Sequence, residues 1–179
     1  MISDRMKPRY VIWEITRACN LKCRHCAASA GRRDPDELSL SEALAVCSQL
    51  AQLGRPPVCL MGGEVLVRKD WVKIAGRLRE LGMNTGIVTN GFLFNEHVAR
   101  LAEKLQLVQI GVSLDAATAE VHDSIRGVRG AYEKALRAID IVNSMTLKYR
   151  LIITSVNKLN VGQLTAIAEL LSKRVTGFQ

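Results

Sequence analysis

Apolar positions along this chain fall into two alternating spacings. In Tyr10–Thr16, YVIWEIT, β-branched and aromatic residues crowd a short run and predict a strand. Ser39 and Glu42 then form a capping box, Val46, Leu50 and Leu53 recur at helical spacing, and Gly54 stops the helix. The pair repeats. Strand-like PVCLMGG (Pro57–Gly63) precedes a helix capped at Asp70, with Trp71, Ile74, Leu78 and Leu81 on one face and Gly82 at its end. TGIVTNG (Thr85–Gly91) precedes a helix capped at Asn95 with Val98, Leu101 and Leu105. LVQIGVSLD (Leu107–Asp115) is followed by a long helix around Tyr132, Leu136 and Ile139, and RLIITSV (Arg150–Val156) by a helix capped at Asn160 with Leu164, Ile167 and Leu171. VTGFQ, Val175–Gln179, reads as a sixth strand cut short.

Strands and helices alternating at this length predict an α/β protein built on a parallel sheet. The pattern leaves two closures open, a doubly wound sheet and a curved barrel. No repeat, low-complexity tract or Pro/Gly/Ser-rich linker interrupts it, so residues 1–179 are expected to form one domain, incomplete at the C-terminus because the sixth unit lacks its helix.

Composition narrows the setting. With 48% hydrophobic and 23% charged residues in 179 positions, the chain is globular in class. No stretch approaches a membrane span, and the N-terminal MISDRMKPRYVIWE lacks the apolar run of a signal peptide, which points to the cytoplasm. The net charge of +8 is scattered and only 4% of residues are aromatic, so neither a nucleic-acid stacking platform nor a membrane surface is expected.

The five cysteines change the picture more. Their odd number, without a secretory signal, favours thiols or metal thiolates over disulfides. Cys47 falls on an apolar helix face and Cys59 inside a strand, both as core residues. Cys19, Cys23 and Cys26 stand together after the first strand, in TRACNLKCRHCAAS. Soft thiolates suit zinc, copper(I) or an iron–sulfur cluster. A structural zinc site would need His25 as fourth ligand, yet adjacent His25 and Cys26 rarely reach one tetrahedral ion together. For a 4Fe-4S cluster, three protein ligands leave one iron open. Gly62, Gly63 and Glu64 follow the second strand, Asn90 the third, and Ser113 and Asp115 close the fourth, all on the sheet edge where parallel α/β proteins build their sites.

CNLKCRHC resembles the CxxxCxxC signature of the radical S-adenosylmethionine enzymes, and GGE (Gly62–Glu64), TNG (Thr89–Gly91), SLD (Ser113–Asp115) and HDSIRG (His122–Gly127) fall in the matching order over residues 9 to 179. The set looks most like the peptide-maturing and tetrapyrrole-modifying branch. The resemblance implies a partial (β/α)6 TIM-like barrel, truncated here at the sixth strand. It implies a 4Fe-4S cluster on Cys19, Cys23 and Cys26, whose unique iron chelates S-adenosylmethionine. It also implies reductive cleavage to a 5′-deoxyadenosyl radical and hydrogen abstraction from a peptide or tetrapyrrole-like substrate. The expected cosubstrate residues are Gly62, Gly63, Glu64 toward the methionyl amine, Asn90, Ser113 and Asp115 toward the ribose, and Arg126 toward the methionyl carboxylate. No side chain is singled out as catalytic. A one-electron donor such as flavodoxin or ferredoxin is expected, and Lys22, Arg24, Arg32 and Arg33 around the cluster loop read either as its positive docking patch or as charges that only offset the cluster. Val65 replaces the usual Pro after GGE and Ala116 the usual Gly after SLD. The rivals are a non-catalytic zinc module and a fold member that binds S-adenosylmethionine without turnover.

Overall fold

A computed structural model describes residues 7–172. Five strands, β1 (Val11–Thr16), β2 (Val58–Gly62), β3 (Thr85–Thr89), β4 (Gln109–Ser113) and β5 (Tyr149–Ile153), form one parallel sheet in the order β1-β2-β3-β4-β5. The helices between them are α1 (Leu40–Gln52), α2 (Trp71–Glu80), α3 (Glu96–Lys104), α4 (Ala119–Arg126), α5 (Ala131–Ser144) and α6 (Leu164–Ser172). A doubly wound sheet reverses its strand order at a switch point, whereas this order runs without reversal. The curved, barrel-like closure is the one adopted. The sixth strand expected at Val175–Gln179 lies outside the described residues.

Strand parity explains the two faces of the sheet. Val58 and Leu60, Ile87, and Ile110 and Val112 point to one side, where Cys47 of α1, Ile74 and Leu78 of α2, Ala102 of α3, Ile139 of α5 and Leu171 of α6 complete one core. The alternate positions, Ile12 and Glu14, Cys59 and Met61, Val88, Gln109 and Gly111, face the opposite, concave side. The Ser39–Glu42 capping box is formed, and the Asn95 carboxamide accepts from the His97 and Val98 N–H groups. Two expected caps differ. Asp70 caps no N–H and instead accepts from Arg68 Nε at 2.7 Å, because that buried guanidinium needs a carboxylate. Asn160 is fully buried and donates to the Asp115 and Ser155 carbonyls, while α6 opens through a 3-10 turn at Val161–Gln163. The chain also forms α4, a helix of eight residues that apolar periodicity did not announce.

Candidate cofactor site

The loop after β1 carries Cys19, Cys23 and Cys26, all half-buried free thiols lining one cavity of about 240 Å³. The loop is held from both sides by backbone. Cys19 N–H donates to the Gly31 carbonyl at 3.0 Å, and the Lys22 and Arg24 N–H groups donate to the Arg126 and Ile125 carbonyls at the end of α4, at 3.1 and 2.9 Å. α4 terminates at Gly127 with φ +69°, and a Cβ there would stand 2.4 Å from the Lys22 carbonyl oxygen. Only glycine fits this contact.

Each sulfur has an N–H donor of the protein nearby. Leu21 N–H lies 3.4 Å from Cys19 Sγ, Ala30 N–H 3.3 Å from Cys26 Sγ and Arg126 Nη1 3.9 Å from Cys23 Sγ. Burial pushes the Cys19 and Cys23 thiols up, while the Leu21 N–H opposes this at Cys19 and the Arg126 guanidinium at Cys23. Donors of this kind stabilise thiolates and tune the metal they hold.

Gly62 ends β2 and Gly63 and Glu64 follow it. The close approach these glycines permit is to the chain after β1: a Cβ at Gly62 would lie 2.3 Å from the Thr16 carbonyl oxygen, and at Gly63 2.6 Å from that of Ala18. Glu64 is buried, and its carboxylate accepts from the Thr89 hydroxyl (2.7 Å), the Asn90 N–H (2.7 Å) and the Leu66 N–H (3.2 Å). Burial raises its pKa, and these donors, led by the Asn90 N–H, oppose the rise. Asn90 in turn donates through Nδ2 to Asn20 Oδ1 at 2.9 Å, tying the β3 end to the cysteine loop.

Ser113 and Arg126 line the same cavity as the cysteines, Gly62, Gly63, Glu64 and Asn90. Asp115 does not. It is fully buried behind Arg126, with its carboxylate 2.8 Å from Arg126 Nε, accepting from the Ser155 N–H at 3.0 Å and lying 3.6 Å from His25 Nε2. Sequence reading passed over His122, whose Nδ1 accepts from the Asp115 N–H at 3.1 Å, and Asn20. Their available signal was their position as polar residues inside CNLKC and HDSIRG.

Among the described residues, no three His, Cys, Asp or Glu side chains converge as a single bound ion requires. Thiols that open on one cavity without meeting at a point suit a polynuclear cluster, whose ligands bind separate irons, better than one tetrahedral zinc. The donor set therefore fits a 4Fe-4S cluster.

Fold and site together define a half-barrel protein with a three-thiol cradle at the C-terminal edge of its parallel sheet. The comparisons agree. Residues 13–171 match the model of the radical SAM superfamily. The chain is 39% identical over 168 residues to an Fe-coproporphyrin III synthase of Methanosarcina barkeri, covering 93% of this chain and 42% of the relative. It is 36% identical over 163 residues to a mycofactocin maturase of Mycobacterium ulcerans, covering 91% and 44%. Among solved structures, Streptococcus suis SuiB bound to S-adenosylmethionine superposes with a TM-score of 0.80 at 21% identity, over 96% of this chain and 40% of that one. This chain belongs to the radical SAM superfamily, whose cofactors are a 4Fe-4S cluster and S-adenosylmethionine. It spans less than half the length of the curated relatives it matches.

Proposed function

We propose that residues 1–179 form the cofactor-binding domain of a cytoplasmic enzyme that reductively cleaves S-adenosylmethionine and abstracts hydrogen from a peptide or tetrapyrrole-like substrate. One observation carries the reading: three thiols on a loop pinned by backbone open on the same cavity as the ends of β2, β3 and β4. The names of the relatives, an Fe-coproporphyrin III synthase and a mycofactocin maturase, and the binding of a precursor peptide by SuiB support the substrate range. Bound together, the two cofactors supply one-electron reductive cleavage and hydrogen abstraction, the part of the chemistry that protein side chains cannot perform.

The protein's own contribution is placement. Cys19, Cys23 and Cys26 hold the cluster. Gly62, Gly63, Glu64, Asn90, Ser113, Asp115 and Arg126 serve the cosubstrate in two ways. Ser113 and Arg126 face it across the cavity with hydrogen-bonding groups. Glu64, on the cavity wall, fixes the β3 turn through the Asn90 N–H, and Asp115 acts from behind by orienting Arg126. The partner is a one-electron donor such as flavodoxin or ferredoxin.

Anaerobic reconstitution tests the reading. It should give about four irons per chain and a brown chromophore, as a 4Fe-4S cluster requires, with 5′-deoxyadenosine formed on reduction in the presence of S-adenosylmethionine. Ala at Cys19, Cys23 or Cys26 should abolish the chromophore, whereas Cys47→Ala and Cys59→Ala should keep it. Zinc without colour would establish the structural module instead, and cosubstrate binding without 5′-deoxyadenosine the non-catalytic fold member.

A further inference from the structure

Glu14 stands on the concave face of the sheet, at the last position of β1 before its alternation breaks. Val11, Trp13 and Ile15 pack toward the helices, so Ile12 and Glu14 face the other way, and Glu14 pairs in register with Met61 of β2. The register then shifts between Glu14 and Thr16, and Ile15 and Thr16 are both buried. Such irregularities re-aim side chains beside active sites. Here the shift leaves Glu14 as the final strand residue on the wall of the cavity that the three thiols share.

An exposed glutamate on an edge strand ordinarily serves solubility. Two observations set this one apart. First, the other charged groups on the cavity wall are committed: Glu64 to three donors, Arg126 to Asp115, and His25 near that same carboxylate. Glu14 is exposed and has no hydrogen-bond or ion-pair partner among the described residues. Second, the wall beside it is apolar, with Met61 and Val88 from β2 and β3. A lone carboxylate against an apolar floor gains strength when a ligand excludes water from it. It lies three strands away from Ser113 of β4, on the strand that runs into the cysteine loop.

We propose that Glu14 contacts the substrate and selects for a cationic or N–H-bearing group while rejecting a carboxylate at that position. The inference rests on the function proposed above and adds what the substrate must present toward β1. Attraction to one charge and repulsion of the other together produce selectivity.

The test uses two probes with the same butyl chain, n-butylguanidinium and n-pentanoate, titrated at constant ionic strength into the cluster-reconstituted chain and followed by saturation-transfer NMR. The unaltered protein should bind n-butylguanidinium more tightly. Glu14→Gln should weaken that binding about fivefold, the value of one partly desolvated ion pair, and Glu14→Lys should reverse the preference. Equal binding of the two probes by the unaltered protein, or the same guanidinium affinity in Glu14→Gln, would overturn the assignment. So would weaker binding of S-adenosylmethionine by Glu14→Gln, which would put this carboxylate on the cosubstrate. Probe binding is read without turnover. A chain that forms no 5′-deoxyadenosine therefore counts against the function proposed above, and the probe titration alone decides the part assigned to Glu14.

Discussion

His122 is buried at the centre of the α4 turn, where its Nδ1 must stay unprotonated to accept from the Asp115 N–H. Burial, helped by the Arg126 guanidinium, lowers its pKa from 6.5 to about 4. In the unfolded chain the imidazole takes up a proton below its ordinary value, while in the folded chain it does so only near pH 4. The unfolded state therefore binds more protons between these limits, and stability falls as pH drops through that window. The loss should approach about 2 kcal/mol by pH 5 and roughly 3 kcal/mol at completion. Urea unfolding of cluster-free protein at pH 7.5 and pH 5.0 should show this loss, and His122→Gln should remove its share of it. An unchanged pH slope in the variant would mean that the imidazole titrates normally. This residue also marks where sequence reading ran short. The cysteines were legible because their spacing is itself the chemistry, but burial of His122 and Asp115 depends on α4 folding back over β4. The carboxylates of Glu64 and Asp115 looked like ligand groups in sequence, and in the fold both are occupied by protein donors.

Among the elements, the five described strands were readable to within three residues because parallel strands buried on the helix side are dense in β-branched residues. Helix α4 was not, since AEVHDSIR carries few apolar residues and buries His122 and Arg126 beside Ile125. Its value lies at its end. Gly127 combines a left-handed φ with contact against the Lys22 carbonyl, so Gly127→Ala should both strain the cap and push the cysteine loop away. We expect a loss of more than about 1 kcal/mol from the cap alone, together with lower iron incorporation. Gly130→Ala is the control, because its φ is also positive, +83°, but a Cβ there meets nothing within 4 Å. If the two variants load iron equally, contact with the cysteine loop is not what Gly127 provides.

For the whole molecule, the net charge of +8 takes on a local meaning near the cluster loop. Lys22, Arg24 and Arg32 are exposed there, while Arg33 is engaged by Glu37 at 2.9 Å and contributes less than its position in the sequence suggested. Arg129 is exposed two residues beyond Gly127, which abuts Lys22. An acidic electron carrier approaching this face would be steered by the remaining charges. Reduction by flavodoxin should slow as salt rises, and charge reversal at Lys22 and Arg24 should slow it at low salt and flatten the dependence. Rates insensitive to both changes would place electron entry elsewhere. The α4 clamp has a consequence in time as well as in space. Arg126 and Cys23 are 103 positions apart, so the loop meets its anchor only after four strands and four α-helices have been made. At ~5–20 residues per second, the nascent thiols wait roughly 5–20 s in reach of oxygen and stray metals before their cradle exists. On the ligand assignment proposed above, cluster delivery is expected to follow synthesis of α4, with the emerging cysteines kept reduced until then.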